Sequence, residues 1–196
     1  MIEPPTAAIV LAAGAASRMG QLKQTLPYRG STLVGHAVDR AVRAGFSPII
    51  VVVGAEAGSV RTALAGLPVF VAHNAEWQSG MGSSIVAGMR RLQTLETDPE
   101  AVAILLADQP LIQTSHLTAM RAHLRSGAAI VAARYNGTVG VPALFHRSLF
   151  GELASLDPAA GARSLLLRGG QSLIAFDLAE AATDIDTPSD FSALTS

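Results

Sequence analysis

The chain has 196 residues, a length suited to one domain, with 49% hydrophobic residues and a net charge of −1 at pH 7. That composition supports a sizeable core and argues against disorder, and the lack of a basic block argues against a nucleic-acid surface. With no cysteine, disulfides, thiolate zinc sites and iron–sulfur clusters are excluded. No stretch approaches the ~20 apolar residues of a membrane span. The start Met1-Ile2-Glu3-Pro4-Pro5 lacks the basic-then-apolar order of a signal peptide. A cytoplasmic protein is expected, with no nucleic-acid or membrane partner.

Ala7–Ala12, Ile49–Val53, Val69–Ala72, Val102–Leu106 and Ala128–Ala132 read as strands. They are continuously apolar rather than alternating, as in a parallel sheet covered on both faces. Helical patterns at Thr32–Ala44, Ser59–Ala65, Ser83–Leu95 and Ser115–Arg125 separate them, with Gly45, Gly66 and Gly127 as stop signals. After Ala132 the rhythm changes. Arg134–Val139 and Val141–Phe145 read as a hairpin around Gly137 and Gly140. Short helices follow at Arg147–Ala154 and Gly161–Leu167, then a strand at Leu173–Phe176 and a closing helix at Pro188–Leu194 capped by Thr187. The expected fold is α/β: an open, mostly parallel Rossmann-like sheet with helices on both faces and a small C-terminal β-excursion. It is read as one domain over 1–196, with 1–133 as the nucleotide-binding part and 134–196 as the acceptor-binding part and closing metal segment.

In such sheets ligands bind beyond the carboxyl ends of the strands. The first strand empties into Ala12-Ala13-Gly14-Ala15-Ala16-Ser17-Arg18, with Lys23 five positions beyond Arg18. Gly14 permits a sharp turn, and the alanines keep side chains out of a ligand's way. Exposed backbone N–H groups there can form an anion nest. Arg18 offers a planar fork for phosphate oxygens and Lys23 a mobile point charge. The second glycine of G-x-G-x-x-G is missing, and so is the Gly-Lys-Ser/Thr of a P-loop. The bland alternative is an ordinary turn with two solvated cations.

The fourth strand runs into Asp108-Gln109-Pro110. A carboxylate at the end of a buried strand is costly unless it is paired or holds a cation, and Mg2+ takes one or two carboxylates plus substrate phosphates. Asp108 is the first choice of ligand. Its alternative role, capping the next helix, suits Thr114 or Ser115 better. In Asp184-Ile185-Asp186-Thr187-Pro188 the two aspartates are two apart, so in an extended segment both point to one face. They serve either a metal or the electrostatics of the closing helix.

The string Leu-Ala-Ala-Gly-x-x-Ser-Arg-Met-Gly-x-x-Lys, from Leu11 to Lys23, resembles the signature of nucleotidyltransferases with a Rossmann-like sheet. The resemblance extends along most of the chain. Asn74-x-x-Trp77-x-x-Gly80-Met81-x-x-Ser84, Asp108-Gln109-Pro110, Gly140-Val141-Pro142-Ala143-Leu144-Phe145, Gly161-Ala162-Arg163-Ser164 and Asp184-Ile185-Asp186-Thr187-Pro188 resemble ordered motifs of molybdenum cofactor cytidylyltransferases. The guanylyltransferases of the same cofactor usually read Leu-Ala-Gly-Gly where this chain has Leu-Ala-Ala-Gly. The methylerythritol cytidylyltransferases carry Arg where this chain has Gln109. At Val141 the chain departs from a frequent His, which leaves the acceptor open.

The resemblance implies a cytoplasmic, Mg2+-dependent transfer of CMP from CTP to molybdopterin, with pyrophosphate released and a molybdoenzyme receiving the product. Arg18, Lys23 and Asp108 are implied as catalytic. Leu11, Ala12, Ala13, Gly14, Ser17, Arg18, Lys23, Gly82, Ser83 and Ser84 are implied to contact the nucleotide, and Asp108 and Asp186 the metal. Arg134, Gly140, Pro142 and Arg163 are candidates for the acceptor, with solvated surface arginine as the alternative for the two cations. Ser83 and Ser84 can equally be a helix cap, and Trp77 fits loop packing better than stacking. Competing functions are guanylyl transfer, transfer to a sugar or polyol phosphate, and a non-catalytic maturation chaperone for molybdoenzymes.

Overall fold

A computed structural model describes residues 5–15 and 22–195. Nine strands lie among them: β1 (Thr6–Ala12), β2 (Pro27–Tyr28), β3 (Ser31–Thr32), β4 (Ile49–Val53), β5 (Phe70–His73), β6 (Ala101–Leu106), β7 (Ile130–Tyr135), β8 (Thr138–His146) and β9 (Leu173–Asp177). The α-helices are α1 (Leu33–Arg43), α2 (Ala57–Ala63), α3 (Met81–Gln93), α4 (Thr114–Arg125), α5 (Phe150–Leu153), α6 (Arg163–Arg168) and α7 (Pro188–Thr195). One seven-stranded sheet runs in the order β5-β4-β1-β6-β8-β7-β9, and β2 and β3 form a separate small hairpin.

The continuous apolar strands are central and covered on both sides, as their pattern requires. Every residue of β1 and of β4 is buried. Along β1, Ala8, Val10 and Ala12 enter one core with residues of α1, α2 and α4. Ala7, Ile9 and Leu11 enter the other with residues of α3, α5 and α6. β5 at the sheet edge is only partly buried. Gly45 and Gly127 follow α1 and α4 with φ of 77° and 104°. That left-handed geometry is what a helix-terminating glycine supplies.

β1 pairs in parallel with β4 on one side and β6 on the other. The chain first builds outward through β4 and β5, then returns to lay β6 against the free side of β1. The crevice between the carboxyl ends of β1 and β6 is therefore a topological switch point, where α/β sheets bind ligands.

The C-terminal strands extend the same sheet. β8 does not leave the sheet but is inserted antiparallel between β6 and β7, and β9 joins in parallel beyond β7. The hairpin turns at Asn136-Gly137, with φ of 49° and 73°, rather than around Gly140. Two adjacent positive φ values suit a tight two-residue hairpin, and Asn-Gly is its strongest sequence signal. Gly140 lies within β8. The β2–β3 hairpin was not anticipated, being two residues per strand.

The cap of α4 is Gln113, not Thr114 or Ser115, through a reciprocal capping box with His116. The cap of α7 is Thr187 as expected. Its Oγ1 accepts from Asp190 N at 3.3 Å, and the Asp190 carboxylate accepts from Thr187 N at 2.8 Å. Among the described residues, no helix is long and apolar enough to cross a membrane.

Candidate active site

The site is built from three chain segments that meet at the switch point. Asp108 stands just past β6, in a loop held from two sides. The buried Arg40 of α1 donates to Pro110 O at 2.5 Å. The buried Gln109 donates through Nε2 to Ala181 O at 2.8 Å and Val141 O at 3.3 Å. The C-terminal segment arrives by a different route. Ile185 is fully buried with Leu26, Tyr28 and Leu33 in a third apolar cluster, and its N–H donates to Asp108 O at 3.1 Å. Burying Ile185 turns its neighbours Asp184 and Asp186 to the other side of the extended segment, the alternation read from their spacing.

Lys23 closes the arrangement from a short helical turn, Lys23–Thr25. Its Nζ lies 2.5 Å from Asp108 Oδ2 and 2.9 Å from Asp186 Oδ1. Lys23 and Asp108 side chains are 15% and 18% exposed, whereas Asp186 is 47% exposed. Burial by itself would lower the Lys23 pKa, but the carboxylates of Asp108 and Asp186 outweigh it and hold the ammonium above its ordinary value. Asp184 is pushed above the usual carboxylate range by desolvation and by Asp108 and Asp186, although one side of the residue stays open to solvent. Two carboxylates thus contact one ammonium, and Asp184 feels their charge.

A cleft of about 270 Å³ opens beside this cluster, with Leu11, Ala13, Gly14 and Lys23 on one wall and Trp77, Ser84 and Asp108 on others. A larger hollow of about 710 Å³ lies along α3, lined by His73, Glu76, Arg90 and Arg91, and does not include Lys23 or Asp108. Both are lined by charged groups, but only the smaller lies at the carboxyl ends of β1 and β6 with the Lys23–Asp108 pair, which makes it the candidate site.

The expected nucleotide contacts divide. Leu11, Ala13, Gly14 and Ser84 line the cleft. Ala12 does not, because its position in β1 sends its side chain into the core. Gly82 does not line the cleft either. It lies under the chain at Asp157-Pro158, where a Cβ would collide with both carbonyls, and its N–H is used by Pro158 O at 2.8 Å. The Ser83 hydroxyl is occupied by Gly80 O at 2.8 Å and Glu76 O at 2.9 Å. Asn74 Nδ2 donates to Ser83 at 2.9 Å and Ser84 at 3.0 Å, and its Oδ1 accepts from Glu76 N at 3.0 Å. Ser83 therefore belongs to a buried knot that shapes the start of α3. Ser84 Oγ accepts from the knot and faces the cleft. Trp77 lines the cleft while packing on Gly54, where a Cβ would meet it at 2.7 Å. Ser17 and Arg18 lie outside the described residues.

The acceptor candidates are not gathered into one place. Arg134 forms a bidentate pair with Asp177, at 2.6 and 2.7 Å, on the exposed end of β7 and β9. Arg163 is exposed at the start of α6. Pro142 is buried beside Arg40 and Gln109. Gly140 lies against the Tyr135 ring, leaving no room for a Cβ. Tyr135 itself was missed. Burial and the nearby Asp184 charge raise its pKa, which puts the phenol at the carboxylate cluster. Gln24 was missed as well. It is buried, and its Nε2 donates to Gly14 O at 3.1 Å, tying the first loop to the Lys23 turn. Neither residue type announces such a role in sequence.

Asp108 and Asp186 direct hard oxygens at one point, the position of the Lys23 ammonium, and that donor set suits a divalent cation. No three His, Cys, Asp or Glu side chains converge on a metal position among the described residues. The protein would then supply two carboxylates and leave other coordination positions to water or phosphate, the usual arrangement for Mg2+.

An open α/β sheet with charged groups at its switch point is an architecture for ligand binding, and the likeness to known proteins makes the chain a nucleotidyltransferase. Residues 8–173 match the MobA-like NTP transferase domain, and the chain belongs to that family. Over 97% of its length it is 31% identical to the purine catabolism protein PucB of Bacillus subtilis, covering 96% of that protein. It is 29% identical to the molybdenum cofactor cytidylyltransferase of Escherichia coli over 93% of the chain and 92% of that enzyme. The crystal structure of Rv0371c from Mycobacterium tuberculosis superimposes with a TM-score of 0.80 at 31% identity, covering 98% of this chain and 99% of that one. The same mycobacterial protein is also solved as a complex with manganese, at 30% identity, a TM-score of 0.73 and 97% of both chains.

Proposed function

We propose that this nucleotidyltransferase moves CMP from CTP to the terminal phosphate of molybdopterin in the cytoplasm, using Mg2+, as one catalytic unit in which 1–133 serves the nucleotide and 134–196 the acceptor. The observation that carries the reading is the meeting of Lys23, Asp108 and Asp186 at the carboxyl ends of β1 and β6. The choice of acceptor and base is supported by the likeness to the Escherichia coli cytidylyltransferase and by the motifs from Asn74 to Pro188.

An acceptor phosphate is already anionic at neutral pH, so the reaction needs no strong general base. Its oxygen attacks the α-phosphorus, the bond from that phosphorus to the bridging oxygen breaks, and pyrophosphate leaves with the electron pair. The difficulty is bringing two polyanions together, so positioning and electrostatics dominate. Lys23, with Arg18 in the same loop, would neutralise charge on the departing pyrophosphate. Leu11, Ala13 and Gly14 would form the wall against which the nucleoside lies, and Ser84 would offer a hydroxyl proton to it. Asp108 and Asp186 would hold the cation, which when bound supplies Lewis-acid stabilisation of phosphate charge. Tyr135 and Asp184 border the side from which the acceptor would approach.

The test is incubation of the purified protein with Mg2+, molybdopterin and each of the four nucleoside triphosphates, with products identified by mass. A cytosine dinucleotide of the cofactor, with pyrophosphate in equal amount, is expected from CTP. A product from GTP alone would move the assignment to guanylyl transfer. No dinucleotide from any of the four would overturn the choice of acceptor.

A further inference from the structure

Lys23 does more than wait beside a phosphate site. Its ammonium sits between Asp108 and Asp186, 2.5 and 2.9 Å from their oxygens, which is the point on which the two carboxylates converge. A Mg2+ ion would need oxygens at about 2.0–2.1 Å around its own centre. An ammonium and a divalent cation cannot share that point. The crevice is largely closed to water at Lys23 and Asp108, so moving Lys23 aside without a substitute anion leaves a poorly solvated charge behind. A bound polyphosphate removes that cost, because it supplies several anionic oxygens within the swing of a four-carbon side chain.

We propose that Lys23 is a resident counter-cation that holds the divalent-metal position until a polyphosphate draws it away, so that metal and nucleotide are taken up as one coupled event. The inference rests on the assignment of Asp108 and Asp186 as the cation-holding pair. It goes beyond that assignment in giving Lys23 two alternative partners and in making its movement a condition of metal entry. The coupling is reciprocal by linkage: whatever nucleotide does to metal affinity, metal does to nucleotide affinity. In the free protein Lys23 also offsets repulsion between Asp108 and Asp186, so the C-terminal segment stays docked on the β6 loop before substrate arrives.

The test uses Mn2+ as the probe, followed by loss of the free-ion electron paramagnetic resonance signal, with no nucleotide present. Wild type, Lys23→Met, Lys23→Gln and the double variant Lys23→Met/Asp108→Asn are compared, each first checked for a cooperative thermal transition. Lys23→Met is expected to bind Mn2+ at least about tenfold more tightly than wild type, corresponding to about 1.4 kcal/mol. The double variant is expected to lose that gain. Lys23→Gln, whose amide keeps one neutral hydrogen bond, should gain in the same direction and keeps the test open if the methionine variant is unstable. Equal Mn2+ affinity in wild type and both single variants would overturn the proposal. If wild type still released pyrophosphate from CTP in that case, the proposed function would stand and only the displacement idea would fall.

Discussion

Two cation–carboxylate contacts lie at the carboxyl-end rim of the sheet, and they differ in nearly everything except distance. Arg134 and Asp177 make a two-point contact at 2.6 and 2.7 Å, with side chains 51% and 77% exposed. Lys23 makes single contacts with two carboxylates at the switch point, where it and Asp108 are 15% and 18% exposed. The better geometry belongs to the pair that water can screen, and exposed pairs of that kind contribute little to stability. The poorer geometry belongs to the cluster where desolvation makes each charge sensitive to the next. That sensitivity is what a site handling polyphosphate and metal requires. The contrast also separates Arg134, whose guanidinium is already engaged by Asp177 in the open, from Tyr135, which is partly buried and feels the Asp184 charge.

The largest expected effect is at the switch point. Asp108→Asn should lower turnover by about a hundredfold or more, since one preorganised electrostatic partner of the transition state is lost. Its thermal stability should move little, and near-normal turnover at saturating Mg2+ would remove Asp108 from the metal site. Next is the knot behind Ser84. Asn74→Ala removes the amide that donates to the buried Ser83 and Ser84 hydroxyls and leaves Glu76 N without its acceptor, for a loss of about 2–4 kcal/mol in urea unfolding. A loss below about 1 kcal/mol would mean that the knot is not what holds the start of α3.

A smaller effect belongs to His36 on α1, behind the Asp108 loop. Burial first, then Arg40 and Arg29, lowers its pKa from 6.5 to about 4. The folded protein therefore resists a proton that the unfolded chain accepts. The stability due to neutral His36 is complete above pH 6.5 and declines as pH falls toward 4. With solvent screening it amounts to about 1–2 kcal/mol. His36→Gln should reduce the difference between unfolding free energies measured at pH 7 and pH 5; an unchanged difference would show that His36 titrates normally. The smallest effect is expected at Arg134→Ala, with stability close to that of wild type, because water screens the pair it makes, and acceptor KM within about threefold. A tenfold rise in that KM would restore Arg134 to the acceptor site and erase the contrast.

Much of this was legible locally. Continuous apolar runs can persist only where both faces are covered, so β1, β4 and β6 were readable as central parallel strands. The position of Asp108 at the end of one of them marked it as costly without a partner. The two-residue spacing of Asp184 and Asp186 predicted a shared face, and the buried Ile185 between them supplies the reason. Other signals were present but weighed wrongly. Asn136-Gly137 is a strong hairpin turn, and letting Gly140 share the turn with Gly137 split β8 in two. A helix start with hydroxyls, as at Gly82 and Ser83, suits an anion, but in the fold the same groups meet neighbouring carbonyls.

The sequence by itself determined the sheet's class, the loop after β1 as a candidate ligand loop, and the residue types able to hold a cation, because periodicity and the cost of burying charge act within a few residues. Only the tertiary structure decided that Lys23, Asp108 and Asp186 share one point, that Ser83 is consumed inside the knot, and that Arg134 answers to Asp177. Those outcomes depend on distances between groups separated by up to 163 positions along the chain. Such distances follow from strand order and from which apolar anchor, here Ile185, docks a distant segment.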